Sequence, residues 1–104
     1  SIIVSSKAAD KVAAGESGID RNDVISINGN YVKGDVIHVY DETGTERARG
    51  MSDFSSDETA ILVRNLDIPV KQLLGYHSRA VLIESENLIC LDDRHIPWQA
   101  KLAG

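Results

Sequence analysis

Arg47-Ala48-Arg49-Gly50-Met51-Ser52-Asp53-Phe54-Ser55-Ser56-Asp57-Glu58 reads as a strand running directly into a capped helix. Ser55 and Glu58 have the capping-box spacing: the serine hydroxyl accepts from the third backbone N–H, and the glutamate reaches back to the cap's own N–H. The strand before the cap puts Ala48, Gly50 and Ser52 on one face, small enough for a neighbouring backbone to come close.

Upstream of this stretch, Asp41-Glu42-Thr43-Gly44 closes a hairpin with a strand over Val36–Tyr40, which is rich in β-branched residues and opened by Gly34-Asp35. Asp23–Ile27 is a further strand, followed by a tight turn at Asn28-Gly29-Asn30. A polar loop runs from Glu16 to Asn22. Ahead of it, Ile2–Val4 reads as a short buried strand. Ser5 or Ser6 then caps a helix with apolar positions Ala8, Ala9, Val12 and Ala13, ended by Gly15 in the left-handed conformation. Downstream of Ser55 the chain is helical, with Ile61, Leu62 and Leu66 within reach of one face. Pro69 pre-sets a second helical turn carrying Val70, Leu73 and Leu74, stopped by Gly75. Ala80–Ile83 and Leu88–Leu91 are two last strands around Glu84–Asn87. The expected architecture is mainly β with short helices (α+β): about six strands in a partly closed barrel, with helices over its ends.

The chain has 104 residues, 42% of them apolar, which suits one small domain. No apolar run is long enough to cross a bilayer, and no secretory signal pattern opens the sequence. Its start at a serine leading straight into Ile2-Ile3-Val4 reads as a cut within a longer chain and not a native start. Cys90 is the single cysteine and lies in an apolar run, as a buried, inert thiol does; this usage fits a reducing cytoplasm. The net charge is −5, the isoelectric point is near 5.0, and none of the 11 basic residues adjoins another. Nucleic-acid binders usually carry a concentrated basic face, so overall charge disfavours RNA.

Three stretches together carry a resemblance: Gly29-Asn30-Tyr31-Val32-Lys33-Gly34-Asp35-Val36-Ile37, the strand and cap from Arg47 to Glu58, and Leu73-Leu74-Gly75-Tyr76. They resemble the PUA domain, a small barrel named for pseudouridine synthases and archaeosine transglycosylases. More narrowly, they are similar to the C-terminal PUA domain of bacterial glutamate 5-kinases. The resemblance implies a PUA-like pseudobarrel over residues 1–91. Residues 92–104, which hold Trp98, would be a tail packing on the barrel or docking elsewhere. It also implies a parent that transfers the γ-phosphoryl of ATP to the side-chain carboxylate of glutamate, the first step of proline synthesis. An amino-acid-kinase domain upstream would hold the ATP, the Mg and every catalytic residue, so this chain needs no cofactor of its own. Its role would be regulatory or architectural: tuning the kinase, supporting a homo-oligomer or contacting a partner. The alternative is an RNA-binding PUA module of a stand-alone or differently fused protein. Two departures from the kinase pattern, Asn65-Leu66-Asp67-Ile68-Pro69 and Glu84-Ser85-Glu86-Asn87, replace basic steps and lower any affinity for phosphate.

No catalytic constellation is encoded. Neither G-x-G-x-x-G nor a P-loop occurs, and no nucleophile elbow is present. Asp92, Asp93 and His95 read as a solvated turn and not a metal site, because adjacent aspartates diverge in an extended chain. His38 is a strand-face residue, and His77 stands alone. Candidate contacts to RNA or a partner are Lys7 and Lys11, at i and i+4 on the first helix, Arg47 and Arg49, which alternation puts on one strand face, and Arg79. The plainer reading of the same residues is solvated charges paired with Glu46, Asp53 and Asp10. Gly34, Asp35, Gly50, Ser55, Glu58 and Gly75 form the structural motif.

Overall fold

Short runs of isoleucine and valine make the strands, and small residues decide how closely they stack. The computed structural model describes residues 1–76, 79 and 81–91. His77, Ala80, Asp92, Asp93, His95 and Trp98 lie outside the described residues. The elements are β1 (Ile2–Val4), α1 (Ser6–Ala13), β2 (Ile19–Asp20), a 3-10 turn over Arg21–Asp23, β3 (Val24–Ile27), β4 (Val36–Tyr40), β5 (Glu46–Met51), α2 (Ser56–Arg64), α3 (Val70–Leu74), β6 (Val81–Ile83), a 3-10 turn over Ser85–Asn87, and β7 (Leu88–Cys90). Five strands form one sheet in the order β3-β1-β4-β5-β7, and β2 pairs with β6 in a second. The result is mainly β with three short helices, a pseudobarrel of two sheets and not a closed barrel.

β1 lies between β3, to which it runs antiparallel, and β4, to which it runs parallel. The turn at Gly29 (φ 76°) therefore does not join neighbouring strands. The one tight hairpin in the larger sheet is β4–β5, as the Asp41–Gly44 signal predicts. Ile2 and Val4 of β1, Ala8, Ala9 and Val12 of α1, Ile37 and Val39 of β4, Ala48, Phe54, Leu62, Leu82 and Ile83 fill a single core.

The two sheets meet at Ile83. It pairs with Ile19 in the smaller sheet, and its side chain lies over Gly50 of the larger one. A Cβ on Gly50 would sit 2.7 Å from Ile83 Cγ2, 2.8 Å from Leu88 Cδ2 and 2.9 Å from the Asn87 carbonyl oxygen. A Cβ on Gly18 would sit 2.2 Å from the Ile83 carbonyl oxygen. Neither glycine has a positive φ, so space alone selects them.

Caps fix the helices. Ser5 Oγ accepts from the Ala8 N–H at 3.1 Å. Ser55 Oγ accepts from the Glu58 N–H at 3.1 Å, and Glu58 Oε1 accepts from the Ser55 N–H at 3.1 Å. Glu58 Oε2 also accepts from the Tyr76 hydroxyl at 2.8 Å, tying the end of α3 to the start of α2. Gly34 and Asp35 continue the β4–β5 ladder: Gly34 N–H donates to Ser52 O and Ser52 N–H to Asp35 O. α3 ends at Gly75 with φ 82°.

Two expectations need correction. The Glu16–Asn22 loop contains β2, because Ile19, a lone apolar residue in polar surroundings, is fully buried against β6. Two residues are too few for alternation to show. Asp20 and Asp23 cap the turn that follows: Asp20 Oδ1 accepts from the Asn22 N–H and Asp23 Oδ2 from the Asp20 N–H. Next, only Leu62 of the trio Ile61, Leu62 and Leu66 turns inward; Ile61 is exposed on α2, and Leu66 lies past its end. The last two strands go to different sheets: β6 belongs to the smaller sheet, and β7 pairs with β5. No described helix is long and apolar enough to cross a membrane.

Gly18→Ala should destabilise more than Gly50→Ala, because its clash is with backbone at 2.2 Å and not mainly with movable side-chain ends. Each should exceed about 1 kcal/mol, the lower end for overpacking. Urea midpoints rank them, and a neutral Gly18→Ala would refute the close approach. In the same assay Ser55→Ala should cost about 1 kcal/mol. Combined with Glu58→Ala, it should lose less than the sum of the two single changes.

Candidate functional site

β5 is the strand that carries the two arginines, and a bulge sets where they go. Val39 pairs with Ala48 and Tyr40 with Glu46, so Arg47 has no partner residue on β4. A bulge of this kind re-aims the extra side chain. Arg47 turns to α1 and to the β4–β5 turn: Nη2 donates to Asp10 Oδ1 at 2.9 Å and Nη1 to Asp41 Oδ2 at 3.1 Å. Arg49 donates instead to Glu46, through Nε to Oε2 at 2.9 Å, and lies on the outer face of the sheet beside Val36, Met51 and Ile89. The two arginines do not share a face, contrary to simple alternation, because the bulge breaks the period of two.

Two of these three carboxylates, Asp41 and Glu46, are strongly acidic. Asp41 is buried in the β4–β5 turn, and its carboxyl is lowered to about 2. The Thr43 hydroxyl, donating at 2.6 Å, is the main cause, followed by Arg47 and the backbone N–H groups of Thr45 and Thr43. Glu46 is lowered to about 2, first by the Arg49 guanidinium and then by His38, whose Nδ1 is hydrogen-bonded to Glu46 Oε2. The Arg47 guanidinium is pushed up by Asp10 and then by Asp41.

Lys11 and Arg79 come together, although they are 68 positions apart in sequence. They line a polar cleft of about 430 Å³ between the end of α1 and β6, with Ser17, Gly18 and Ser85. Asp20, Asp23 and Glu84 line it too, and Glu84 Oε1 is 3.4 Å from Arg79 Nη1. Two cations among three carboxylates make a mixed surface and not a phosphate groove. Lys7 is exposed on α1. The five basic candidates thus fall into separate settings: a clip at Arg47, the outer sheet face at Arg49, the cleft at Lys11 and Arg79, and open helix surface at Lys7.

Among the described residues no group of three or more His, Cys, Asp or Glu is placed to hold a metal. Cys90 is partly buried, and its Sγ donates to the Val12 carbonyl at 3.3 Å, joining β7 to α1. What the sequence reading missed is an apolar strip on the outer face of the larger sheet: Val36, Met51 and Ile89. The signal for the first was present, since alternation around Ile37 and Val39 turns Val36 outward. For Ile89 it was hidden inside the uniformly apolar Leu88–Leu91 run.

The folded pKa values of Asp41 and Glu46, about 2, lie below the ordinary 3.8 and 4.5. Stability from a depressed carboxylate is present above its unfolded pKa and lost as pH falls through the folded one. The domain should therefore weaken progressively from about pH 4 towards pH 2. Asp41→Asn should lower the urea midpoint at pH 7 and make that acid loss shallower. An unchanged pH profile in the variant would mean that Asp41 contributes nothing to the acid transition.

Comparison with known proteins gives a consistent picture. Glutamate 5-kinase from Burkholderia mallei (strain SAVP1) is 33% identical over 88 residues, covering 85% of this chain and 24% of that protein. Glutamate 5-kinase from Ralstonia nicotianae is 31% identical over 90 residues, covering 86% and 24%. The chain therefore spans about a quarter of the length of these relatives. Among solved structures, a PUA domain from Aeropyrum pernix K1 superposes with a TM-score of 0.59 at 25% identity, covering 79% of this chain and 40% of that one. A PUA domain protein from Thermoplasma acidophilum shares the fold with a TM-score of 0.56 at 21% identity, covering 79% and 45%. The PUA domain profile itself matches residues 1–74, a stretch that runs from β1 through the capped helix to the end of α3, and the chain belongs to the PUA domain family.

Proposed function

We propose that this chain is the PUA domain of a glutamate 5-kinase and that its role there is regulatory or architectural. The observation that carries the reading is the alignment: 33% identity across 85% of the chain, confined to about a quarter of the relative's length. In this reading an amino-acid-kinase domain precedes Ser1 and binds ATP and Mg. The parent enzyme works in the cytoplasm, transferring a phosphoryl group to the glutamate side-chain carboxylate. The PUA domain supplies none of the reacting groups and acts on the kinase or on its assembly through surface contacts.

The RNA-binding alternative draws little from the surface. Arg47 and Arg49 are held by Asp10, Asp41 and Glu46, and the Lys11–Arg79 cleft carries more carboxylates than cations. Binding by such a surface would need to break ion pairs that already satisfy the guanidinium groups.

The coding sequence upstream of Ser1 should specify an amino-acid-kinase domain, and the whole protein should show glutamate-dependent ATP turnover. Residues 1–104 alone should show none. A different upstream domain, or turnover by the short chain that a point change within it abolishes, would sink the proposal. A labelled RNA hairpin should show no measurable binding to the short chain at physiological salt. Salt-sensitive binding at micromolar or tighter concentration, lost in Lys11→Glu/Arg49→Glu, would instead establish the RNA module.

A further inference from the structure

A cleft of about 380 Å³ lies between β3 and α2, lined by Ile25 and Ile27 on one side and by Asp57, Ala60, Val63 and Arg64 on the other. Its two walls run antiparallel. The start of α2 is held where the chain leaves β3: the Ser56 N–H donates to the Tyr31 carbonyl at 2.9 Å, and the Tyr31 N–H to Ser56 Oγ at 3.1 Å. The end of α2 is held where the chain enters β3, since Arg21 Nη1 donates to the carbonyls of Asn65 and Ile68 at 3.2 and 2.7 Å. Asp57 therefore stands at the Asn30 end of the cleft and Arg64 at the Asp23 end.

β3 is an edge of the larger sheet, and among the described residues no strand but β1 pairs with it. The Asn28 N–H donates to the Ser1 carbonyl, and the Ser1 amino group donates to the Asn28 carbonyl. Ladder alternation then turns the N–H and C=O of Ile27 away from β1, towards the edge. Ile25 has no partner residue on β1, because Ile3 pairs with Ser26 and Val4 with Val24; the bulge pushes it out, and it is 54% exposed. A bulge discourages long flat pairing, so this edge offers a short addition centred on Ile27. Asp57 and Arg64 are exposed, and among the described residues neither has an ion-pair partner.

We propose that the β3–α2 cleft docks an extended segment of a partner protein, added antiparallel to β3. The segment carries a basic residue facing Asp57, a β-branched apolar residue over Ile27, Ala60 and Val63, and an acidic residue facing Arg64. The inference stands independently of the kinase assignment. Asp57 and Arg64 are seven positions apart on α2, roughly 10 Å along its axis. Alternate residues of a strand share one face, and three of them span about 13 Å, so their side chains reach both charges. Main-chain bonds to the edge supply affinity, and the alternate side chains supply selectivity. A second copy of the chain fits less well. Its own β3, laid antiparallel, brings Asp23 to the Asp57 end, where like charges oppose, and sets Asn28 instead of a carboxylate at the Arg64 end.

The peptide acetyl-Lys-Thr-Val-Thr-Glu-amide, titrated at millimolar concentration into the full chain, should shift the amide resonances of Ile25, Ile27 and Ala60. It should bind about fivefold tighter than the reversed acetyl-Glu-Thr-Val-Thr-Lys-amide, the worth of exposed charge pairs. Raising salt should narrow that difference. N-methylation of the valine should abolish binding, because the ladder donor is lost. Asp57→Lys/Arg64→Glu, at two exposed positions, should invert the preference between the peptides while circular dichroism is retained. Equal affinity for the two peptides in the unaltered chain, shifts confined to other surfaces, or no shifts at all would overturn the proposal. So would shifts of the same amides on raising protein concentration without peptide, which would make a second copy the occupant.

Discussion

The approach of the two sheets depends on two places where backbone must pass without a side chain between. At Gly50 the larger sheet admits Ile83 and the Asn87 carbonyl, and at Gly18 the chain leading into β2 admits the Ile83 carbonyl. Ile83 is thus gripped from both sides, by pairing with Ile19 and by contact with Gly50. The two sheets never exchange a ladder hydrogen bond through a shared strand, so the pseudobarrel closes by packing and not by continuous pairing. Closure of that kind is sensitive to single methyl groups, since interiors are packed nearly as densely as crystals.

A second set of constraints ties the ends of elements together with polar groups. Ser52 to Glu58 forms one stitched corner. Ser52 Oγ donates to the Phe54 carbonyl, the Asp53 N–H donates to Leu82 O in β6, and Ser56 exchanges hydrogen bonds with Tyr31. Across the molecule, Arg47 links α1 to the β4–β5 turn through Asp10 and Asp41. The two halves of that link are unequal. Asp10 is exposed, so its pair is screened by water, whereas Asp41 is buried and its lone pairs are met by Thr43, Thr45 and Arg47. Removing Arg47 would leave the Asp41 carboxylate partly unmatched in the interior of the turn, and that is the costlier loss.

The sequence was legible wherever a local rule had no competitor. The capping box at Ser55 and Glu58 and the β4–β5 hairpin are local, and the stop at Gly75 needs only a left-handed residue. It was opaque where the deciding partner is distant. Nothing near Ile19 announces that it will pair with Ile83, and nothing near Asn28 announces that β1 will slip between β3 and β4. The basic candidates show the same limit. Alternation placed Arg47 with Arg49, yet the bulge that separates them arises from how β4 and β5 register across the turn. Lys11 and Arg79 line one cleft although they are far apart in sequence, which no local pattern announces.

These placements bear on what the surface can recognise. Each phosphate neutralised on a nucleic acid releases counterions, and affinity scales with the number of cations available to do so. Of the five basic candidates, Arg47, Arg49 and Arg79 are each within ion-pair distance of a carboxylate, which leaves Lys7 and Lys11 on one helix. Two lysines on an acidic domain give a small counterion term, working against a net charge of −5. Val36, Met51 and Ile89, in contrast, stand exposed on the strands whose inner faces build the core. The charges of Arg47 and Arg49 thus act within the domain and set its internal geometry.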